Sequence, residues 1–452
     1  MLTGSEVALF TDLYELTMAA SFHAHGFNVP VTFELYVRDL PPTRSYLLLS
    51  GLERALDGLE ALQFDDTAID YLASLSLFSD EFLSELSRTR FQGEVWAIPE
   101  GEVAFPDEPL VQVRAPLVEA QIVETFLLNA IGYDTMVATK AARVAEACAG
   151  RPFFDFSARR DHGVDAALRA ARASYIGGAS GTSLVLAGER FGLALAGTMA
   201  HSYVMALGDE TTAFRTFASD YGARATLLID TNDTLAGADI VAALGDELRA
   251  AGMVPGAVRL DSGDVVELAR GVRAILDRAG LSDVHIFASG DLDEYRIASV
   301  LAAGAPIDGF GVGTRLGTSA GAPSLGVVYK LVESAGGPTM KHSTDKLSLP
   351  GRKQVHRVES DGSYAYDLLT LFDEPAPPHT RPLLEPVMAK GRRTRPPEPL
   401  DIVRDRATAA LRALPPALHA LEREGPSPYE VRRSAALDAL VEQLTPPGTA
   451  PR

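Results

Sequence analysis

Between residues 153 and 332 the chain repeats one unit: a short apolar or β-branched run, a polar or glycine-rich cluster, and often an alanine-rich stretch of helical periodicity. The runs are FFDFSA (153–158), GLALAGTM (192–199), ATLLID (225–230), AVRLD (257–261), VHIFAS (284–289), IDGFGV (307–312) and VVYKLV (327–332). Helical partners include VDAALRAARASYI after the first, TTAFRTFASDYG after the second, VVELARGVRAILDRAG after the fourth and LDEYRIASVLAAG after the fifth. Such alternation predicts parallel strands joined by helical crossovers. With no reversal of strand order visible, the expectation is α/β, an irregular parallel β/α barrel rather than an open doubly wound sheet.

The flanks read differently. Before residue 150, segments such as VTFELYVRDLP and FQGEVWAIPEGEVAFPDEPLVQVRAP suggest antiparallel strands with Pro and Gly turns, interrupted by helices such as LVEAQIVETFLLNAIGYDT. Residues 1–150 are therefore expected to form an additional α+β domain and residues 151–335 the barrel. Residues 336–370 are expected to return onto the N-terminal domain, and 371–452 to form a proline-rich connector and helical tail.

A chain of 452 residues can bury a large core. Its formal charge of -19 repels nucleic acid and anionic membranes, so neither is expected as a partner. The single cysteine, Cys148, sits in the apolar stretch VAEACAG and reads as a core residue. The first residues carry acids where a secretory signal needs bases, and no apolar run reaches membrane-spanning length. A cytosolic location is expected.

In a parallel barrel the functional side chains gather at the carboxyl ends of the strands. There the runs deliver Ser157, Arg159, Arg160, Asp161 and His162; Thr198, His201 and Ser202; Asp230 and Asp233; Asp261 and Asp264; Ser289, Gly290 and Asp291; and Gly313, Thr314 and Arg315. The glycines of IDGFGVGT let backbone N–H groups approach an anion, with Thr314 adding a hydroxyl, although glycines in a tight turn read equally as simple geometry. Asp230 and Asp261 suit a divalent metal or sugar hydroxyls, whereas Asp264 is equally a helix cap. The Arg159–Arg160 pair suits phosphate or carboxylate, or an ion pair with Asp155 or Asp161. His201 reads either as a core histidine or as a nucleophile or acid/base.

TDLYELTMA (11–19), FELYVRDLP (33–41), DFSARR (155–160), YIGGASGTSLVLAG (175–188), GTMAHSYVMA (197–206), LLIDTND (227–233), VRLDSGD (258–264), FASGDLDEY (287–295), GFGVGT (309–314) and KHSTDKLSLPGRKQVHR (341–357) together resemble nicotinate phosphoribosyltransferase. The resemblance implies an irregular α/β barrel with an α+β sandwich domain, in a homodimer that shares its active sites. It also implies transfer of phosphoribosyl from phosphoribosyl pyrophosphate to nicotinate, with ATP as co-substrate and Mg2+ as cofactor. His201 then corresponds to a histidine phosphorylated by ATP, and Asp230 and Asp261 to acids facing the phosphoribosyl pyrophosphate and its magnesium. Phe156 corresponds to the aromatic stacking on the pyridine ring, Tyr14 to an aromatic from the partner subunit, and Arg159 to an arginine near base and phosphates. Gly313 and Thr314 correspond to the 5-phosphate loop, while Thr198, Ser180 and Gly290 are further substrate contacts.

Nicotinamide phosphoribosyltransferase is the nearest rival; it is expected to carry an acid in the turn where this chain has Ala179, Ser180 and Gly181. Quinolinate phosphoribosyltransferase fits less well, since it lacks the histidine motif. An inactive phosphoribosyl-ligand sensor would have no need to keep His201. A sugar-phosphate aldolase would need a lysine at a strand end, and the runs hold only Lys330.

Overall fold

The computed structural model describes residues 2–341, 348–422 and 429–446. Residues 342–347 of the KHSTDKLSLPGRKQVHR stretch, and 423–428 and 447–452 of the expected tail, lie outside the described residues. The chain divides into two compact units, Lys140–Gly321 and a second made of Met1–Thr139 with Ala322–Arg452. Among the described residues no helix is long and apolar enough to cross a membrane.

The Lys140–Gly321 unit holds six parallel strands: β1 (Phe153–Asp155), β2 (Gly181–Thr182), β3 (Thr226–Leu228), β4 (Ala257–Leu260), β5 (His285–Ala288) and β6 (Gly309–Val312). They lie in the order β2-β1-β6-β5-β4-β3. The first strand in sequence thus pairs with both the second and the last, so the sheet curls into an incomplete barrel whose open edges are β2 and β3. Amphipathic helices return the chain between strands. Val265–Arg278, for example, buries Val265, Ala269, Val272 and Leu276 along one stripe. Asp233, Asp264 and Asp293 cap the helices that follow β3, β4 and β5, which settles Asp264 as a cap accepting from Val266 N–H at 3.0 Å and Glu267 N–H at 3.2 Å.

Two of the expected barrel strands differ. GLALAGTM is not a strand: Gly192, left-handed at φ 69°, ends the preceding helix, and only a bridge between Thr182 and Leu195 follows. Its partner β2, within the GGASGTS stretch, is only two residues long and has no more backbone to offer. VVYKLV does not join the barrel either. Both edges of β6 are already taken, by β5 and β1, and Val327–Ser334 pairs antiparallel with Pro30–Val37 in the other unit.

That other unit contains a seven-stranded sheet. Its order is Gly337–Pro338, Val327–Ser334, Pro30–Val37, Val111–Pro116, Glu94–Ala97, Glu385–Ala389 and Arg392–Arg393. Pro30–Val37 is buried from Val31 onward, with Phe33 stacked on Tyr329 at 4.7 Å between centroids. On the alternate face Glu34 meets Lys353 Nζ at 2.7 Å and Gln112 Nε2 at 2.8 Å, so FELYVRDLP and GRKQVHR are tied by a buried ion pair. A four-stranded sheet runs Thr380–Pro382, Lys353–Ser360, Ser363–Leu371 and Val431–Arg433. The proline-rich stretch therefore lays down strands: Pro382 lies on an edge, and Pro386 adjoins a register shift, positions where a missing N–H costs no ladder bond.

Candidate active site

Parallel pairing puts Leu228, Arg259, Phe287 and Gly309 at one level of the curled sheet, each sharing an orientation. Two residues further on, strand period brings Asp230, Asp261, Ser289, Gly311 and Phe154 to the next level on the same face. On that face lies a cavity of about 340 Å3 lined by Phe154, Phe156, Phe287, Ser289, Leu195, Thr198 and Arg259, among others. Its walls are largely aromatic and aliphatic; Arg224 and Thr226 also line it, and its remaining polar groups converge on one point.

That point is Arg259. Its Nε donates to Ser289 Oγ at 2.8 Å, one terminal nitrogen to Thr198 Oγ1 at 2.9 Å and the other to Asp261 Oδ1 at 2.6 Å. The guanidinium also sits 5.8 Å from the centroid of Phe156. A guanidinium has five N–H donors, so each terminal nitrogen retains one for a ligand. Arg259 was missed among the sequence candidates. Its signal was present, a charge inside the otherwise apolar AVRL run and two positions before Asp261, hence on the same face.

Asp261 and Asp230 are directly connected. Asp230 Oδ2 accepts from the Asp261 N–H at 3.0 Å and from Ser262 Oγ at 2.7 Å, while Asp230 Oδ1 is buried without a hydrogen-bond partner. Burial pushes the Asp261 carboxyl up, but the Ser289 hydrogen bond, the Arg259 charge and the nearby His201 outweigh it and hold the carboxyl below its ordinary range. His201 opens the helix His201–Leu207, half-buried, with Nδ1 3.1 Å from Thr231 Oγ1. That contact orients the ring and leaves Nε2 for chemistry.

The glycines of GFGVGT have a steric task. A Cβ on Gly309 would stand 2.4 Å from the Phe287 ring, and one on Gly311 2.6 Å from the Phe156 ring. Only these bare positions admit two aromatic rings into the barrel interior. Gly313 then opens the turn into the one-turn helix Thr314–Gly317, with Thr314 exposed at its start. Gly290, at φ +88°, allows its loop to pass so close to Asp261 that a Cβ would meet the Asp261 carbonyl at 2.1 Å.

The other candidates are placed as follows. Arg159 and Arg160 are exposed and form no ion pair among the described residues. Asp155 instead accepts from Ser157 N–H and Thr182 Oγ1, and Asp161 from Ser157 Oγ, each at 2.9 Å. Ser180 precedes β2, its N–H bonded to the Phe153 carbonyl, one residue before Gly181, which pairs with Phe154 at the level of Asp261. Ser183 is bonded through its N–H to the Asp155 carbonyl, at the carboxyl end of β1. Tyr14 belongs to the other unit, 47% exposed in the first turn of helix Leu13–Ala24; burial and the neighbouring Glu124 and Glu15 push its phenol up. Cys148 is buried, which pushes its thiol up to about 12 and leaves it inert. Lys330 lies in Val327–Ser334, a strand of the other unit's sheet and not one of the six barrel strands.

Comparison with known proteins follows the same lines. A family model described as the nicotinate phosphoribosyltransferase N-terminal domain matches residues 9–132. The nicotinate phosphoribosyltransferase pncB2 of Mycobacterium tuberculosis is 50% identical over 438 residues, covering 97% of this chain and 93% of that protein. The nicotinate phosphoribosyltransferase of Bacillus subtilis is 40% identical over 382 residues, covering 81% and 77%. Among solved structures, human nicotinic acid phosphoribosyltransferase superposes with a TM-score of 0.83 at 30% identity, covering 96% of this chain and 99% of that one.

Proposed function

The chain belongs to the nicotinate phosphoribosyltransferase family, and we propose that it joins nicotinate to C1 of phosphoribosyl pyrophosphate, releasing pyrophosphate, with ATP hydrolysis coupled through His201. The observation that carries this reading is Arg259, a forked cation in an aromatic cavity with N–H donors to spare, beside two linked carboxylates. An aromatic carboxylate is the ligand such a pocket takes: the ring lies against Phe156 and the carboxylate meets the guanidinium.

Displacement at C1 develops positive charge on the ribose, which Asp261, kept ionised by its neighbours, is placed to offset. Asp230, bonded to the Asp261 backbone, fixes that carboxylate in place. Among the described residues no group of three or more His, Cys, Asp or Glu side chains is arranged to hold a metal. Asp230, whose Oδ1 is buried without a hydrogen-bond partner, and Asp261 would instead hold a Mg2+ bound together with the pyrophosphate. When bound, magnesium offsets charge on the leaving pyrophosphate. Phe154, Phe287 and Leu195 keep water from the reacting face. Gly313 and Thr314 take the 5-phosphate, and Tyr14 is contributed by a second copy. The exposed Val185, Leu195 and Met205, 69%, 54% and 68% accessible, supply apolar surface for that copy to cover. Phosphoribosyl pyrophosphate and ATP suit a cytosolic enzyme.

The test is product formation from phosphoribosyl pyrophosphate and Mg2+ with nicotinate or nicotinamide, each with and without ATP. Nicotinate mononucleotide formed faster with ATP supports the reading; turnover with nicotinamide alone overturns it. His201→Ala is expected to lose ATP stimulation while keeping a slow ATP-independent reaction, because its imidazole serves phosphoryl transfer and not the ribosyl step. Unchanged ATP dependence would remove the phosphohistidine. Gly311→Ala is expected to push Phe156 out of position and raise the nicotinate KM by about ten- to a hundredfold without unfolding the protein, measurable by steady-state kinetics beside circular dichroism.

A further inference from the structure

The two loops that follow β5 and β6 carry the residues facing the phosphoribosyl substrate, yet no strand pairing extends beyond their roots. Behind them lies a buried charge cluster that the chemistry does not use. Glu294, the first residue of helix Glu294–Ala302 and part of FASGDLDEY, is fully buried. Its Oε2 accepts from Lys140 Nζ, and its Oε1 from Arg143 Nε at 3.0 Å. Both cations lie on helix Glu124–Ala147 and are themselves buried.

Lys140 does more than neutralise Glu294. Its ammonium also donates to the Ala320 carbonyl at 3.0 Å, just past the Thr314–Gly317 helix. One point charge therefore grips the far ends of both loops, Ser289–Asp293 and Gly313–Ala320. A second tie joins the same two loops: Arg315 lies 3.6 Å from Asp293, the cap of the Glu294 helix. Arg143 steadies the arrangement by donating to the Tyr295 hydroxyl at 3.1 Å. An apolar packing contact would hold these loops together but would permit sliding; a buried ion pair with a third hydrogen bond has one geometry.

We propose that Lys140 is a positioning residue for phosphoribosyl pyrophosphate: its ammonium, held between Glu294 and the Ala320 carbonyl, sets the spacing of the Gly290 and Gly313–Thr314 turns. The inference rests on the reading that those turns take up that substrate. Small displacements of a binding turn are costly, because reacting groups must be held to a fraction of an ångström.

Lys140→Met and Glu294→Gln are compared with wild type by steady-state kinetics in both substrates and by calorimetric titration with phosphoribosyl pyrophosphate. The KM and dissociation constant for phosphoribosyl pyrophosphate are expected to rise at least about tenfold while the nicotinate KM stays within about twofold. Should Lys140→Met fail to fold, the triple variant Lys140→Met, Arg143→Met and Glu294→Met, which removes all three buried charges together, is expected to fold and to show the same selective loss. Folded variants that bind phosphoribosyl pyrophosphate as wild type does, with only kcat or thermal stability reduced, would overturn the proposal. Wild-type turnover reports separately on the function: if wild type makes no nicotinate mononucleotide, that reading falls, and equal phosphoribosyl pyrophosphate affinity in wild type and variants still decides against the clamp.

Discussion

Arg259→Ala is expected to reduce kcat/KM for nicotinate by about a thousandfold, equivalent to roughly 4 kcal/mol of transition-state stabilisation. The change deletes three hydrogen bonds at once, to Ser289, Thr198 and Asp261, and strips Asp261 of its nearest cation. It also removes the donors left for a substrate carboxylate. Arg259→Lys keeps the charge but cannot satisfy three partners and a ligand from one ammonium, so only a minor part of the activity is expected to return. Steady-state kinetics with nicotinate and nicotinamide separate the effects: loss of carboxylate recognition falls on nicotinate, whereas displacement of Asp261 falls on both. Activity within about tenfold of wild type would exclude Arg259 as the anchor.

The second large effect concerns stability. Arg357 is fully buried, donates to both oxygens of Asp367 at 2.9 and 2.6 Å and to the Val103 carbonyl at 2.9 Å, and stacks over Tyr364 at 4.4 Å. Tyr429 adds a hydrogen bond to Asp367 at 3.0 Å. Arg357→Met is expected to destabilise the protein by about 3–5 kcal/mol, because it leaves the Asp367 carboxylate buried without its cation. Arg357→Met with Asp367→Leu removes both charges and is expected to recover most of that loss, as read from denaturant midpoints. A single variant as stable as wild type would show that the pair contributes nothing net. Burial, with Asp367 next to it, also pushes the Glu108 carboxyl up.

The Arg357 cluster shows where sequence reading stops. GRKQVHR could be assigned to a motif but not to a task, since Lys353 and Arg357 find Glu34 and Asp367 only through the sheets. The strand-end acids were legible because strand period and loop position act locally: Asp230 and Asp261 do meet, and Asp264 is a cap. Arg259 escaped notice because a charge in mid-strand is meaningful only once the sheet curls and that face becomes an interior.

Local chemistry thus determined the strand-helix alternation, the aspartate caps, the absence of a disulfide framework and the ordered motifs that identify the family. Each depends on residues within a turn or two of one another. Tertiary structure alone decided which strand closes on which, that VVYKLV leaves the barrel, that Gly309 and Gly311 make room for aromatic rings, and that Lys140 reaches Glu294 and Ala320. Those outcomes depend on edges being filled and on charges finding partners far away in sequence, and neither is encoded in any short stretch of this chain.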